Sequence, residues 1–337
     1  MSAPDPDALA AGVRGGDRRA LARAITLVES TRPDHRAAAE HLLEVLLPHT
    51  GGSVRIGLTG PPGVGKSTFV EAIGSHILAS GTHRLAVLPI DPTSVRTGGA
   101  ILGDKTRMVD LAGHDRAFIR PSPGGGHLGG VARRTREVLL VCEAAGFDVE
   151  IVETIGVGQS EIAVSDLNDL FLVLVSPGGG DELQGIKRGI MELADVVVVT
   201  KSDGDLAPAA GRTEADYRNA LHLLRPKWRA WTPEVLRCSS VTGDGIDAIW
   251  TTIAGYVAAL TGSGELDEAR AGQAVAWMWD EIDDALGRRF RAHPEVDALL
   301  APLERDVAAG RVTPAVAGRR LLDAAEASIR PGASSAG

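Results

Sequence analysis

Cysteine is nearly absent. Cys142 and Cys238 are the only two in 337 residues, both inside apolar stretches and with no C-x-x-C spacing, so neither a disulfide framework nor a thiolate zinc site is indicated. Clusters of basic charge are also missing: 35 Lys and Arg are dispersed among 44 Asp and Glu, for a net charge of −9. That argues against nucleic acid as a partner, since a phosphate backbone selects a concentrated basic face. No apolar run approaches the roughly 18 residues that a membrane-spanning helix needs. The first residues carry Asp5, Asp7 and Asp17 rather than an unbroken apolar stretch, so no export leader is expected and the cytoplasm is the expected location. No internal repeat or low-complexity tract stands out.

A chain of this length, with 44% hydrophobic residues, is expected to bury one large core and a smaller helical unit. Residues 1 to about 16 and 331–337, rich in small residues, Pro and Asp, read as frayed tails. Asp17 and Asp34 are candidate N-caps for two helices with apolar residues at helical spacing, Leu21, Ile25 and Val28, then Leu42, Leu43 and Leu46. From Val54 onward short β-type runs alternate with helices: Val54–Thr59, Leu85–Ile90, Phe118–Arg120, Val149–Val152, Leu170–Val175, Val196–Val199 and Val235–Cys238. This alternation predicts an α/β fold with a mostly parallel, doubly wound sheet. Beyond Ile246 the pattern is helical: Ala248–Leu260, a stretch around Ala274–Phe290, and a segment opened by Thr313 and Pro314. The expected domains are an N-terminal helical extension at 1–50, a central domain at 51–262, C-terminal helices at 263–330 and a disordered tail at 331–337.

The central motif is G-x-x-x-x-G-K-S, running from Gly60 to Ser67 between a β-type run and a helical pattern. In that setting, glycines let backbone N–H groups converge on an anion, the lysine reaches the β and γ phosphates, and the serine hydroxyl joins a Mg²⁺ shell. Gly60, Pro61, Gly63, Val64, Gly65, Lys66, Ser67 and Thr68 are therefore candidate nucleotide contacts.

Thr200-Lys201-Ser202-Asp203 follows the run Val196–Val199, where GTP-binding proteins carry N/T-K-x-D. A carboxylate at Asp203 accepts from guanine N1–H and the N2 amine, donors that adenine lacks, while the Lys201 stem lies along the base. Ser239-Ser240-Val241-Thr242-Gly243 then follows the next run, as the second base-contact loop of GTPases does. Between these lie Asp91 at a strand end, Asp104, and Glu153-Thr154-Ile155-Gly156, which stands where GTPases carry D-x-x-G. Mg²⁺ takes hard oxygen ligands, so Ser67, Asp91, Asp104 and Glu153 are the candidate metal set, and Gly156 is the candidate γ-phosphate contact.

The strings GLTGPPGVGKSTF, DPTS, TGGAILGDKTRM, RPSPGGGHLGGVARRTRE, ETIGVGQSE, PGGGDELQGIKRGIMELAD and TKSDGD resemble the MeaB family of G-protein chaperones, older ArgK-like, from about residue 20 to 330. The resemblance implies a P-loop GTPase of the SIMIBI class, slow alone and stimulated by a partner. That partner would be an adenosylcobalamin-dependent acyl-CoA mutase, typically methylmalonyl-CoA mutase, whose cofactor loading the chaperone gates and which it protects. It further implies GTP and GDP with Mg²⁺, and homodimers through the C-terminal helices. Carried over by motif, Lys66, Asp91, Asp104, Glu153 and Lys187 form the catalytic set, with Lys187 closing the third switch, Gly178–Lys187.

Thr200 stands in place of the commoner Asn of N-K-x-D, which predicts loss of an amide that braces the phosphate loop. Gln159 is an alternative water-positioning residue, and His127 reads as a loop-packing residue. The competing readings are a P-loop small-molecule kinase or transport-linked ATPase, and a scaffold whose helix around Trp277, Met278 and Trp279 serves only docking.

Overall fold

The computed structural model describes residues 5–91, 108–123, 128–154, 164–178 and 188–327. The expected positions Asp104, His127, Gly156, Gln159 and Lys187 lie outside them, as does the side chain of Asp91. The chain divides into two compact units, residues 1–273 and 274–337.

The first unit is built on β1 (Val54–Thr59), β2 (Leu85–Asp91), β3 (Ala117–Ile119), β4 (Ser122–Pro123), β5 (Val149–Thr154), β6 (Leu170–Val175), β7 (Val196–Val199) and β8 (Glu234–Arg237). The strand order is β3-β2-β5-β1-β6-β7-β8, with β4 paired to β2, and every pairing is parallel. A parallel sheet is covered on both faces, which is why its strands are unbroken apolar runs. All six residues of β6 and all four of β7 are buried. Side chains alternate across the sheet. Phe171, Val173 and Val175 of β6 join one core layer; Leu170, Leu172 and Leu174 join the other.

The first layer takes α1 (Pro6–Arg14), α2 (Arg18–Val28) and α3 (Pro33–Leu46), together with α6 (Leu128–Ala144) and α8 (Ala207–His222). The second layer takes α4 (Lys66–Ala79), the short α5 (Val109–Gly113) and α9 (Ile246–Ser263). A further short helix, α7 (Arg188–Leu193), precedes β7.

Two expectations for the N-terminal region are overturned. Residues 6–14 are a helix rather than a frayed tail: Asp5 accepts from the Asp7 N–H at 3.1 Å, Pro6 opens the helix, and Leu9, Ala10 and Val13 are buried. Burial of three apolar residues on one face outweighs the weak local helix signal of a short segment. Asp17 caps α2 as expected, accepting from Arg19 N–H at 2.8 Å, but Asp34 caps nothing. Arg32 occupies the cap position of α3 and pairs with Asp34 in the first turn.

The strand spans agree with the apolar runs to within two residues, and the very short β4 carries too little pattern to be anticipated. The sequence also did not single out α11 (Pro294–Ala308), which with α12 (Pro314–Ala327) packs in the second unit and buries Val296, Leu303 and Ala317. α10 (Glu265–Arg291) carries the division between the units, after Gln273. Among the described residues no helix is long and apolar enough to cross a membrane.

Candidate nucleotide site

In a parallel sheet all strand C-termini share one edge. The chain runs outward from β1 through β2, β3 and β4, returns as β5 between β2 and β1, and then moves to the far side as β6. The winding therefore reverses beside β1, and a doubly wound sheet has its crevice at such a reversal.

The loop leaving β1 occupies that crevice. A Cβ on Gly60 would come within 2.7 Å of the Leu174 carbonyl oxygen, so only glycine lets the chain turn this close to β6. Gly63 and Gly65 hold φ values of 80° and 101°, and Gly65 is the N-cap of α4 with no side-chain cap. This arrangement aims consecutive amides, with the positive end of the helix dipole, at one point, which suits a phosphate. Lys66 folds back over the loop, its ammonium donating to the Gly60 carbonyl at 2.7 Å and the Pro61 carbonyl at 3.3 Å. Burial lowers the Lys66 pKa, and the nearby charge of Glu153 opposes that shift. A cation held in partly dry surroundings by carbonyl dipoles gains from an anion placed against it.

The Ser67 hydroxyl donates to Glu153 Oε1 at 3.2 Å. Glu153 is buried near the end of β5, in register with Leu58 of β1, so sheet pairing itself brings the two oxygens together. The next pair is fastened as well, Thr154 Oγ1 donating to Thr59 Oγ1 at 2.9 Å. Hydroxyl and carboxylate oxygens are the donor types that Mg²⁺ takes, so Ser67 and Glu153 fit that ion. Asp91 is the last residue of β2, on the same edge.

Two neighbouring loops complete the edge. Thr200 is buried directly after β7, and its hydroxyl donates to the Val64 carbonyl of the phosphate loop at 2.8 Å, with Val175 O at 3.2 Å. The expected loss of the brace at Thr200 is thus corrected: a hydroxyl supplies the link that an amide supplies elsewhere. Lys201 has φ 53°, the one non-glycine positive φ among the described residues, and its ammonium donates to the Gly63 carbonyl at 2.7 Å. A left-handed backbone costs a lysine about 1 kcal/mol, and here it lays the side chain over the phosphate loop.

Asp203 is half-buried, and its side chain caps nothing locally although it occupies the N-cap position of a 3₁₀ turn. The Ser202 N–H donates to the Cys238 carbonyl at 3.0 Å, which sets this loop beside the one beginning at Ser239. Ser239 is buried and its hydroxyl accepts from the N–H groups of Val241 and Thr242 at 3.3 and 3.2 Å, so its side chain shapes the loop. Ser240 is half-buried, and Val241 projects its side chain into solvent. Gly245 closes the loop at φ 79°, where a Cβ would lie 2.2 Å from the Arg237 carbonyl oxygen.

A family model described as Methylmalonyl Co-A mutase-associated GTPase MeaB matches residues 21–295. The chain belongs to the MeaB family. Curated relatives of this MeaB-family chain include a putative GTPase of Caulobacter vibrioides, 54% identical, with 96% of this chain and 99% of that protein aligned. The GTPase ArgK of Escherichia coli is 48% identical over 85% of this chain and 86% of its own length. The mouse methylmalonic aciduria type A homolog, a mitochondrial protein by its name, is 46% identical over 94% of this chain and 79% of its own. Among solved structures, one described as an LAO/AO transport system kinase is 38% identical with a TM-score of 0.73, covering 94% of this chain and 96% of its own. The family and this likeness make the fold that of a P-loop GTPase, in accord with the parallel sheet and the loop after β1.

Proposed function

We propose that this chain is a GTP-hydrolysing chaperone of an adenosylcobalamin-dependent acyl-CoA mutase, methylmalonyl-CoA mutase being the first candidate. It would gate cofactor loading and protect or reactivate the mutase. The observation that carries the nucleotide part of the reading is the double fastening of the T-K-S-D loop to the phosphate loop, Thr200 to Val64 and Lys201 to Gly63. That construction makes base recognition and phosphate binding one rigid unit. The partner is inferred from the MeaB family description, which names a methylmalonyl-CoA mutase.

In this reading Gly60, Pro61, Gly63, Val64, Gly65 and Thr68 present backbone groups to the phosphates, and Lys66 neutralises their charge. Ser67, Glu153, Asp91 and Asp104 hold Mg²⁺, which when bound withdraws charge from the phosphate oxygens. Asp203, Lys201 and the Ser239–Val241 loop select guanine. Hydrolysis is slow alone because phosphoryl transfer depends on charge neutralisation that the site leaves incomplete. Lys187, in the third switch, supplies the missing cation when the mutase binds. The protein acts in the cytoplasm, without nucleic acid or membrane, as a homodimer through the helices at 263–330.

Purified protein should hydrolyse GTP slowly, prefer it to ATP, and turn over faster when its cognate mutase is added. Preference for ATP with transfer to a small acceptor would replace this reading by the kinase one. Absence of any turnover, with or without mutase, would leave a scaffold.

A further inference from the structure

The stretch between α8 and β8, residues 223–233, has no helix or strand but is tied down by two carboxylates from outside it, Asp195 and Glu265. Asp195, fully buried at the entrance to β7, accepts from Trp228 Nε1 at 2.7 Å and Lys227 Nζ at 3.4 Å, and its carbonyl accepts from Trp231 Nε1 at 3.0 Å. Glu265 accepts from the N–H groups of Arg229 and Ala230 at 2.8 and 2.9 Å. A buried carboxylate costs stability unless it is fully engaged, and here it is spent on fixing a surface loop.

That loop forms one wall of a cleft of about 160 Å³ whose other wall is α7 and its exit. Met191, Ala194, Leu221 and Leu224 make it apolar, and Pro226 and Pro233 stiffen its rim. An apolar cavity of about 150 Å³ takes a benzene ring, so this cleft has room for one large apolar side chain. Arg225 and Lys227 stand at the rim against a single carboxylate, Glu192. The Lys227 ammonium is committed to Asp195 and lies 4.7 Å from the centre of the Trp228 ring. Arg225 is exposed, and among the described residues no carboxylate pairs with it. Leu223, beside it, is 87% exposed.

An apolar cleft with one exposed, uncommitted cation at its rim among the described residues, Arg225, is complementary to an apolar group carried beside a carboxylate. We propose that it docks a partner-protein segment in which a large apolar side chain is flanked by carboxylates. The apolar side chain enters between α7 and the 223–233 loop, and a flanking carboxylate pairs with Arg225. Because the loop is already ordered, little conformational entropy is lost on docking. α7 begins at Arg188, the residue after Lys187 in the chain.

The probe is a blocked hexapeptide, Leu-Phe at its centre with two acidic residues on each side, titrated into the full-length protein without nucleotide. The outcome is therefore independent of the GTPase reading. Saturable binding in the range of about 100 μM is expected, perturbing the Trp228 indole N–H resonance and leaving that of Trp250 in place. Arg225→Glu, at an exposed position, should weaken it at least about tenfold, and Arg225→Gln by less. A peptide with lysines in place of the acids should not bind. Equal binding of the basic peptide, undiminished binding to Arg225→Glu, or no binding at all would overturn the proposal. Self-association abolished by Arg225→Glu, with no peptide binding, would overturn it in favour of a second copy as the occupant.

Discussion

The hydroxyl of Thr200 and the carbonyl of Val64, 2.8 Å apart and both buried, join the end of β7, which carries the loop proposed to read the base, to the loop after β1 proposed to hold phosphate. Replacing Thr200 by Val keeps the shape and removes the donor, leaving a buried carbonyl without it. Such a loss costs about 1–3 kcal/mol. Thr200→Val should therefore weaken GDP and GTP binding about tenfold or more in calorimetric titration, and Thr200→Ser should restore most of it. Unchanged affinity in Thr200→Val would mean that Lys201 alone sets the loop.

Asp203 makes no local cap, so its carboxylate is available to a base. GTP is expected to bind at least about tenfold tighter than ATP, because adenine would leave the acid without matching donors. Asp203→Asn should erase the preference in competition titration. Equal affinity of the native protein for both nucleotides would remove the assignment.

Lys66 and Lys187 should fail differently. Lys66→Ala removes the ammonium now resting on Gly60 and Pro61, so nucleotide affinity and basal hydrolysis should both fall, with or without mutase. Lys187→Ala should bind GTP normally and keep its basal rate, yet lose most of the stimulation by mutase. Single-turnover hydrolysis separates the two, and full stimulation of Lys187→Ala would move the completing role elsewhere.

At the opposite edge of the sheet, Arg55 pairs with Glu143 at 3.0 Å while Glu150, also buried, accepts from the Ser53 hydroxyl at 3.0 Å. Burial, and then the charge of Glu143, push the Glu150 carboxyl well above its usual range, against the opposing pull of Arg55 at 3.9 Å. The unfolded chain releases the Glu150 proton near the ordinary value of about 4.3, whereas the folded chain holds it to higher pH. Native stability is therefore lost as pH rises from there toward the raised folded value, at up to about 1.4 kcal/mol per unit. Glu150→Gln has no proton to release, so its advantage over the native protein in denaturant unfolding should widen between about pH 5 and pH 7. A gap that does not change with pH would show Glu150 ionised in the fold.

On α10, Val275, Met278, Trp279 and Leu286 are more than half exposed at helical spacing, and such a stripe suits a dimer seam. Trp279→Lys with Leu286→Lys in the full chain should convert a dimer to a monomer in light scattering. A truncation meant to test the same point should end after Gln273 rather than near 262. Glu265 and Arg270 belong to the first unit, where Arg270 donates to Asp169 at 2.8 and 2.7 Å and to the carbonyls of Gly51 and Ser53. A dimer that survives both changes would place the seam elsewhere.

The amino-acid sequence by itself determined the sheet and the position of the phosphate loop. Strands buried on both faces must be continuous apolar runs, as Leu170–Val175 and Val196–Val199 are, and a loop that admits an anion must place glycines where φ is positive, as at Gly63 and Gly65. The tertiary structure alone decided what depends on partners distant in the chain. Pro6–Arg14 is a helix because α2 and α3 cover its apolar face, and Asp34 loses its cap role to the turn opened at Pro33. Thr200 reads as a missing amide until its hydroxyl is placed beside Val64, 136 positions away. Local patterns encode propensity and burial, but a hydrogen bond between remote residues exists only once the sheet has put their strand ends on the same edge.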